Sequence, residues 1–162
     1  MPKAILFLGA MSAACVLAGA ALAGTDQTFL KKALEGDNSE TALGKMAEQH
    51  GRSPGVRDFG RMLQQDHTAA KAKALPVAQA HGVADTEEFA PEAKAEARKL
   101  ERLSGHAFDR EFARYMVHDH KQDISDFEKE ARRGDRSSAA LARETLPDLH
   151  KHLKTAQQLA AR

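Results

Sequence analysis

Four long stretches of this chain repeat apolar residues at every third or fourth position, and short polar breaks separate them. That spacing lines one face of an α-helix and leaves the other to water, so the chain must bury helical stripes against one another. Ala, Leu, Glu, Lys, Gln and Arg, the good helix formers, dominate. Runs of β-branched residues are absent, there is no Trp, and there is a single Tyr. An all-α fold follows.

The first pattern covers about Gln27 to Gln49 and carries Phe29, Leu30, Ala33, Leu34, Leu43, Met46 and Ala47. Thr25 or Asp26 is placed to cap its start, and His50-Gly51 closes it. The second opens at Ser53-Pro54, a cap residue followed by a first-turn proline, and runs to about Ala80. Pro76 lies inside it, and a kink or early end is expected there. A shorter helix is expected over about Pro91 to Leu103. The third long pattern runs from about Ala107 to Arg132, with Phe108, Phe112, Tyr115, Met116, Ile124 and Phe127. After a stop at Gly134-Asp135, the last spans about Ser137 to Leu159 and contains Pro147.

Loop lengths suggest how the helices pair. Tight turns join the first long helix to the second and the third to the fourth, so each pair should pack antiparallel. The segment between the pairs, Gly82 to His106, is long enough to run the length of a bundle. Two hairpins joined by such a crossover make the ferritin-like four-helix bundle; an up-and-down bundle with a fifth helix outside has the same pattern.

The amino terminus reads as an export signal, residues 1–23. Lys3 is followed by an uncharged run from Ala4 to Gly24 that ends in Ala21-Leu22-Ala23, an A-x-A cleavage site. Retention of the run as an anchor is the alternative, but no basic stop-transfer cluster follows it. Cys15, the only cysteine, falls inside this segment. Lipid modification there is a weaker reading, because Ser12-Ala13-Ala14 lacks the usual aliphatic residue. Cleavage leaves one domain, residues 24–162, in the periplasm, with no thiol for a disulfide or a metal.

Charge excludes one class of partner. Without Lys3 the chain has 23 basic and 23 acidic residues, which gives a nucleic acid no basic face to bind. No stretch of the mature chain reads as a membrane span.

Within these apolar stripes sit four polar residues, one per long helix. Glu40 lies seven residues from both Ala33 and Ala47; His67 follows Leu63 by four; His120 follows Met116 by four; His152 follows Leu149 by three. Counting from the turns at Gly51 and Gly134, at 1.5 Å per residue, their levels mismatch by roughly 7 Å and roughly 6 Å. Tilt and side-chain reach absorb such offsets, so the four can share one layer.

Two readings fit them. Three imidazoles and a carboxylate make a site for zinc, copper or iron, with Asp37, Asp66, Asp119 and Asp148 as further ligands or supporting partners. Alternatively, the same groups form a buried polar network in which neighbouring carboxylates or hydroxyls satisfy each imidazole.

The other histidines carry less. His50 and His81 precede glycines at helix ends, where they cap; His106 is in a break; His118 and His150 point about 200° away from their inner neighbours. Enzyme motifs are missing: there is no thiol nucleophile, no glycine-rich phosphate loop and no G-x-S-x-G elbow. The two Glu-x-x-His pairs of a carboxylate di-iron site are missing as well. A catalytic oxidoreductase would need an open metal position and a substrate pocket, and the sequence displays neither.

Several of these residues recur in an order that resembles a bacterial family of exported proteins of unknown function, labelled as outer-membrane proteins. The matching pieces are Glu40 with Leu43-Gly44-Lys45-Met46-Ala47, then Val56-Arg57-Asp58-Phe59 leading to Met62 and Asp66-His67. They continue with Leu103-Ser104-Gly105 before Phe108-Asp109, His120 before Phe127-Glu128, and Leu146-Pro147 with Leu149 and His152. The likeness spans about Phe29 to Leu159. It implies a ferritin-like bundle in the periplasm or at the outer membrane, and no particular activity. One departure is visible: Phe112 stands where the resemblance leads one to expect a tyrosine. The function expected is therefore an exported helical bundle that binds a transition metal or, alternatively, a structural or envelope-stress interaction module. Its protein partner is open, and an enzyme is the less favoured class.

Overall fold

A computed structural model describes residues 14–162, with side-chain surroundings from Gly24 onward. Most of the expected export signal, residues 1–13, lies outside the described residues. Five α-helices follow in order: α1 (Ala14–His50), α2 (Pro54–Ala80), α3 (Pro91–Leu100), α4 (Gly105–Arg133) and α5 (Arg136–Ala160). Among the described residues there is no strand, and no helix is long and apolar enough to cross a membrane.

The expected elements are present with shifted ends. Helix α1 is already helical at Ala14, the first described residue, rather than starting near Gln27, because the Ala-rich residues ahead of Gln27 propagate a helix as readily as those after it. Helix α2 does not end early at Pro76 but runs on to Ala80. Pro76 and Ala72, whose carbonyl the ring displaces, both face solvent, where water can replace the lost bond. Pro147 sits in α5 in the same way. Ser53 caps α2 by accepting from Val56 N, and Asp135 caps α5 by accepting from Ser137 N and Ser138 N.

Helix α1 packs along α2, and α4 along α5. At the α1–α2 crossing the backbones nearly touch. A Cβ on Gly44 would lie 2.7 Å from the Gly60 carbonyl oxygen, and one on Gly60 would lie 2.5 Å from that of Gly44.

Hydrogen bonds show which ends meet. Asp109, one turn into α4, accepts from Arg52 N and Ser53 N at 2.8 Å each, tying α4 to the α1–α2 turn. At the opposite end Gln27 donates to the His81 carbonyl, and His81 Nε2 lies 2.9 Å from Asp135. Helices α2 and α4 therefore start at the same end, and the segment carrying α3 runs the length of the fold between them. Asn38 and Ser39 hold that segment against α1, bonding the Thr86 and Glu88 carbonyls and the Ala90 N–H respectively.

Two apolar clusters fill the interior. One gathers Leu43, Phe59, Leu63, Phe108, Phe112 and Met116 towards the Gly51 end. The other gathers Phe29, Leu30, Leu34, Ala74, Ala78 and Leu141 towards the Gly134 end. On each long helix the polar residues singled out from the sequence fall between the two clusters.

Candidate metal centre

The helix stripes that bury these clusters carry Glu40, His67, His120 and His152 inside with them. His120 is fully buried, Glu40 and His152 are 1% exposed, and His67 is 4% exposed. The His67 and His120 rings lie 6.0 Å apart, and each lies 5.3 Å from the His152 ring. One ligand atom from each of the three falls within 4.8 Å of the others. Glu40 adjoins the rings from α1: Oε2 is 4.0 Å from His67 Nε2, and Oε1 is 3.9 Å from His120 Nδ1, on the side where it groups with Asp119 and His120.

Each ring is held by one nitrogen and leaves the other without a partner. His67 Nδ1 sits 2.9 Å from Asp37 Oδ1, and Nε2 is unpartnered. His152 Nε2 sits 2.8 Å from Asp66 Oδ2, and Nδ1 is unpartnered. His120 Nδ1 donates to the Met116 carbonyl oxygen at 3.1 Å, and Nε2 is unpartnered. Both Glu40 oxygens also lack a hydrogen bond. An unpaired buried polar atom costs about 1–3 kcal/mol. Five such atoms fall on these four side chains; among the described residues the others are on Asp26, Glu96 and Glu130.

The electrostatics follow from burial. Desolvation pushes the Glu40 carboxyl well above the usual carboxylate range, and neighbouring Asp119, Asp123 and Asp37 push it the same way. Burial also takes the His120 imidazole down to about 3, helped by the His67 and His152 rings. His152 is lowered too, by burial first and against its bond to Asp66. Burial raises Asp37 despite its bond to His67. For Asp66 burial is outweighed by hydrogen bonds from His152 and Lys151, and its pKa falls. At neutral pH His120 is thus an uncharged ring with a free lone pair, the form in which imidazole binds a metal.

The supporting aspartates divide into three kinds. Asp37 and Asp66 bond directly to imidazoles. Asp119 lies beside Glu40 and His120, with a ligand atom of each within 4.8 Å, and accepts from the Tyr115 hydroxyl at 3.1 Å. Asp148 is exposed and lines a cavity of about 70 Å³ next to Asp66 and His152. Phe112, where the resemblance led to a tyrosine, is buried in the core. A larger cavity of about 230 Å³ reaches His67 from between α1, α4 and α5, past Phe29, Asp37, Asp123, Phe127 and Leu149. His106, His118 and His150 are exposed, as their positions implied.

Sequence reading passed over two polar groups that the fold uses. Asp109 holds the α1–α2 turn, and the sequence marked it only as part of the Phe108-Asp109 piece of the family resemblance. Asp26, read as a cap, is 2% exposed and accepts from Asp135 N across the bundle end.

An all-helical domain with this buried cluster defines a class by shape only. The chain belongs to the family described as a domain of unknown function, DUF4142, whose model matches residues 12–159. It is also similar to a DUF305 fragment from Deinococcus radiodurans, known from a crystal structure. The two share 16% identity at a TM-score of 0.74, over 85% of this chain and 96% of that one, a likeness of fold alone. No curated protein matches the chain.

Proposed function

We propose that this protein is an exported, ferritin-like helical bundle that binds one divalent transition-metal ion between His67, His120 and His152, with Glu40 as fourth ligand. The carrying observation is the set of three buried ring nitrogens, each without a partner and each on a ring whose other nitrogen is held by Asp37, Asp66 or the Met116 carbonyl. Metal-binding histidines are oriented in this way, by a carboxylate or carbonyl on the far nitrogen. Tetrahedral ligands about 2.0–2.1 Å from a metal lie about 3.3 Å apart, so side-chain shifts on the order of 1 Å close the site. Imidazole with carboxylate suits zinc, copper or iron. A cation there supplies what the five unpaired atoms lack, and the acidic cavity beside His67 is its route in.

The same reading includes export and bundle type. Lys3, the apolar run and Ala21-Leu22-Ala23 support delivery to the periplasm. Shared starts of α2 and α4, with a long connection between them, support a ferritin-like arrangement. The structural-network alternative accounts for the Asp37–His67 and Asp66–His152 pairs but leaves the inner nitrogens unexplained. Elemental analysis of protein purified from the periplasm, with titration calorimetry of the metal-free protein against zinc and copper(II), tests the proposal. One ion per chain and a raised Tm are expected. No bound metal and no change in Tm with either ion would overturn it.

A further inference from the structure

A second group of ligand-bearing side chains lies at the Gly134 end, far from the centre just described. Asp26 and Glu40 are fourteen residues apart on α1, about 21 Å along the axis. Here the stretch of α1 around Asp26, the end of α2 and the α4–α5 turn converge, and one ligand atom each from Asp26, His81 and Asp135 lies within 4.8 Å of the others.

Each of these residues is anchored through one atom and faces the cluster with another. His81 Nδ1 donates to the Val77 carbonyl at 2.8 Å, which directs Nε2 at Asp135 Oδ2. Asp135 Oδ1 accepts the first N–H groups of α5, leaving Oδ2 for the cluster. Asp26 Oδ2 accepts from Asp135 N, and its Oδ1 is buried with no partner. Glu130, 7% exposed, adds a buried and unpartnered Oε1. Glycine at 134 makes room for it, since a Cβ there would collide with Glu130 Oε1 and Ser138 Oγ. Among the described residues, none of the three carboxylates pairs with a lysine or arginine, and His81 is the one basic group in ion-pair range.

We infer that Asp26, His81 and Asp135, backed by Glu130, form a second cation site that takes a zinc-class divalent ion and staples three chain segments together. Three carboxylates with a single imidazole leave negative charge that a divalent ion neutralises. The unpartnered oxygens of Asp26 and Glu130, both more than nine-tenths buried, are what such an ion would satisfy. An imidazole ligand favours a zinc-class ion over calcium, which takes six to eight oxygens. His81 carries the carbonyl contact on its far nitrogen that zinc-binding histidines show. The site stands independently of the core centre.

The test is a zinc titration of the processed full chain followed by amide and histidine-ring NMR. Zinc is expected to shift the Gly82 and Gly134 amides and the His81 ring. In His81→Gln and in Asp26→Asn the apparent Kd for those shifts should weaken tenfold or more, while the core histidine rings respond as before. Unmoved Gly82 and Gly134 amides at saturating zinc, or unchanged Kd in both variants of native fold, would overturn the inference. Core rings that stay unmoved while the end amides shift would instead overturn the core metal site and leave this one standing.

Discussion

The Asp37 carboxylate lies 2.9 Å from Nδ1 of His67, and this contact turns the opposite nitrogen, Nε2, towards the two other inner imidazoles. Asp66 does the same for His152 from α2. A ring freed from such a partner can rotate or change tautomer, and either change spoils its aim at a metal.

Asp37→Ala and Asp66→Ala should therefore each weaken metal affinity by about 10–100-fold while leaving stoichiometry at one. Competition titration against a chelator of known affinity measures this. Asp148→Ala, at an exposed position with no contact to a ring, should leave the affinity unchanged.

Glu40 separates a metal centre from a purely structural network. Its carboxyl is 1% exposed, and neither oxygen has a hydrogen-bond partner. Replacing it with an apolar side chain of similar length removes two unsatisfied atoms. Glu40→Met is expected to stabilise the metal-free protein by about 1–3 kcal/mol in urea denaturation. It should also reduce the Tm gained on adding metal. Destabilisation of the metal-free protein would show that Glu40 is structurally satisfied, as the network reading requires.

Much of this was readable from spacing alone. Glu40, His67, His120 and His152 each fall three, four or seven residues from core positions, and helical periodicity suffices to put them on inner faces. Pairing of Asp37 with His67 was only partly readable, because it depends on how α1 and α2 are rotated against each other. Rotation is set by the backbone contact at Gly44 and Gly60, which the apolar pattern does not encode. The grouping of Asp26, His81 and Asp135 was not readable. These residues are 54 or more positions apart; His81 and Asp135 sit at helix ends where capping already explains them, and Asp26 was read as the cap of a helix that in fact runs through it. Nor did periodicity mark that α1 extends ahead of Gln27, since Ala-rich sequence continues a helix without any change of pattern.

Stability on α3 should depend on pH through Glu96. Burial raises its pKa and neighbouring Glu111 raises it further, while Arg114 chiefly, with Lys99, takes Glu111 down to about 2. A carboxyl whose folded pKa lies above its unfolded value favours folding when protonated. Its cost is absent below the unfolded pKa of about 4.3, grows as pH rises through the folded pKa, and is complete above it. Glu111 has the opposite sign: it stabilises above its unfolded pKa, and the gain is lost as pH falls towards 2. Glu96→Gln should accordingly raise Tm at pH 7 and leave it nearly unchanged at pH 3.5. Thermal melts at the two pH values check this, and an equal rise at both would contradict it.

Gly44→Ala tests the helix crossing that brings Asp37 and Glu40 to their partners. In an ordinary exposed helix the change would help by up to about 1 kcal/mol, because alanine is the better helix former. Here the added methyl would meet the Gly60 carbonyl oxygen at 2.7 Å and Leu63 Cβ at 3.1 Å, so α1 and α2 must separate or rotate. Crowding of this kind costs about 1–3 kcal/mol, enough to reverse the helix preference. A lower denaturation midpoint is expected in urea. Because rotation moves Glu40 and Asp37 together relative to His67, metal affinity should fall in the same variant. Gly36→Ala is the control on the same helix: a Cβ there meets nothing within 4 Å, so that variant should be at least as stable as the parent. If the two substitutions behaved alike, close backbone contact would not be what sets the register of α1 against α2.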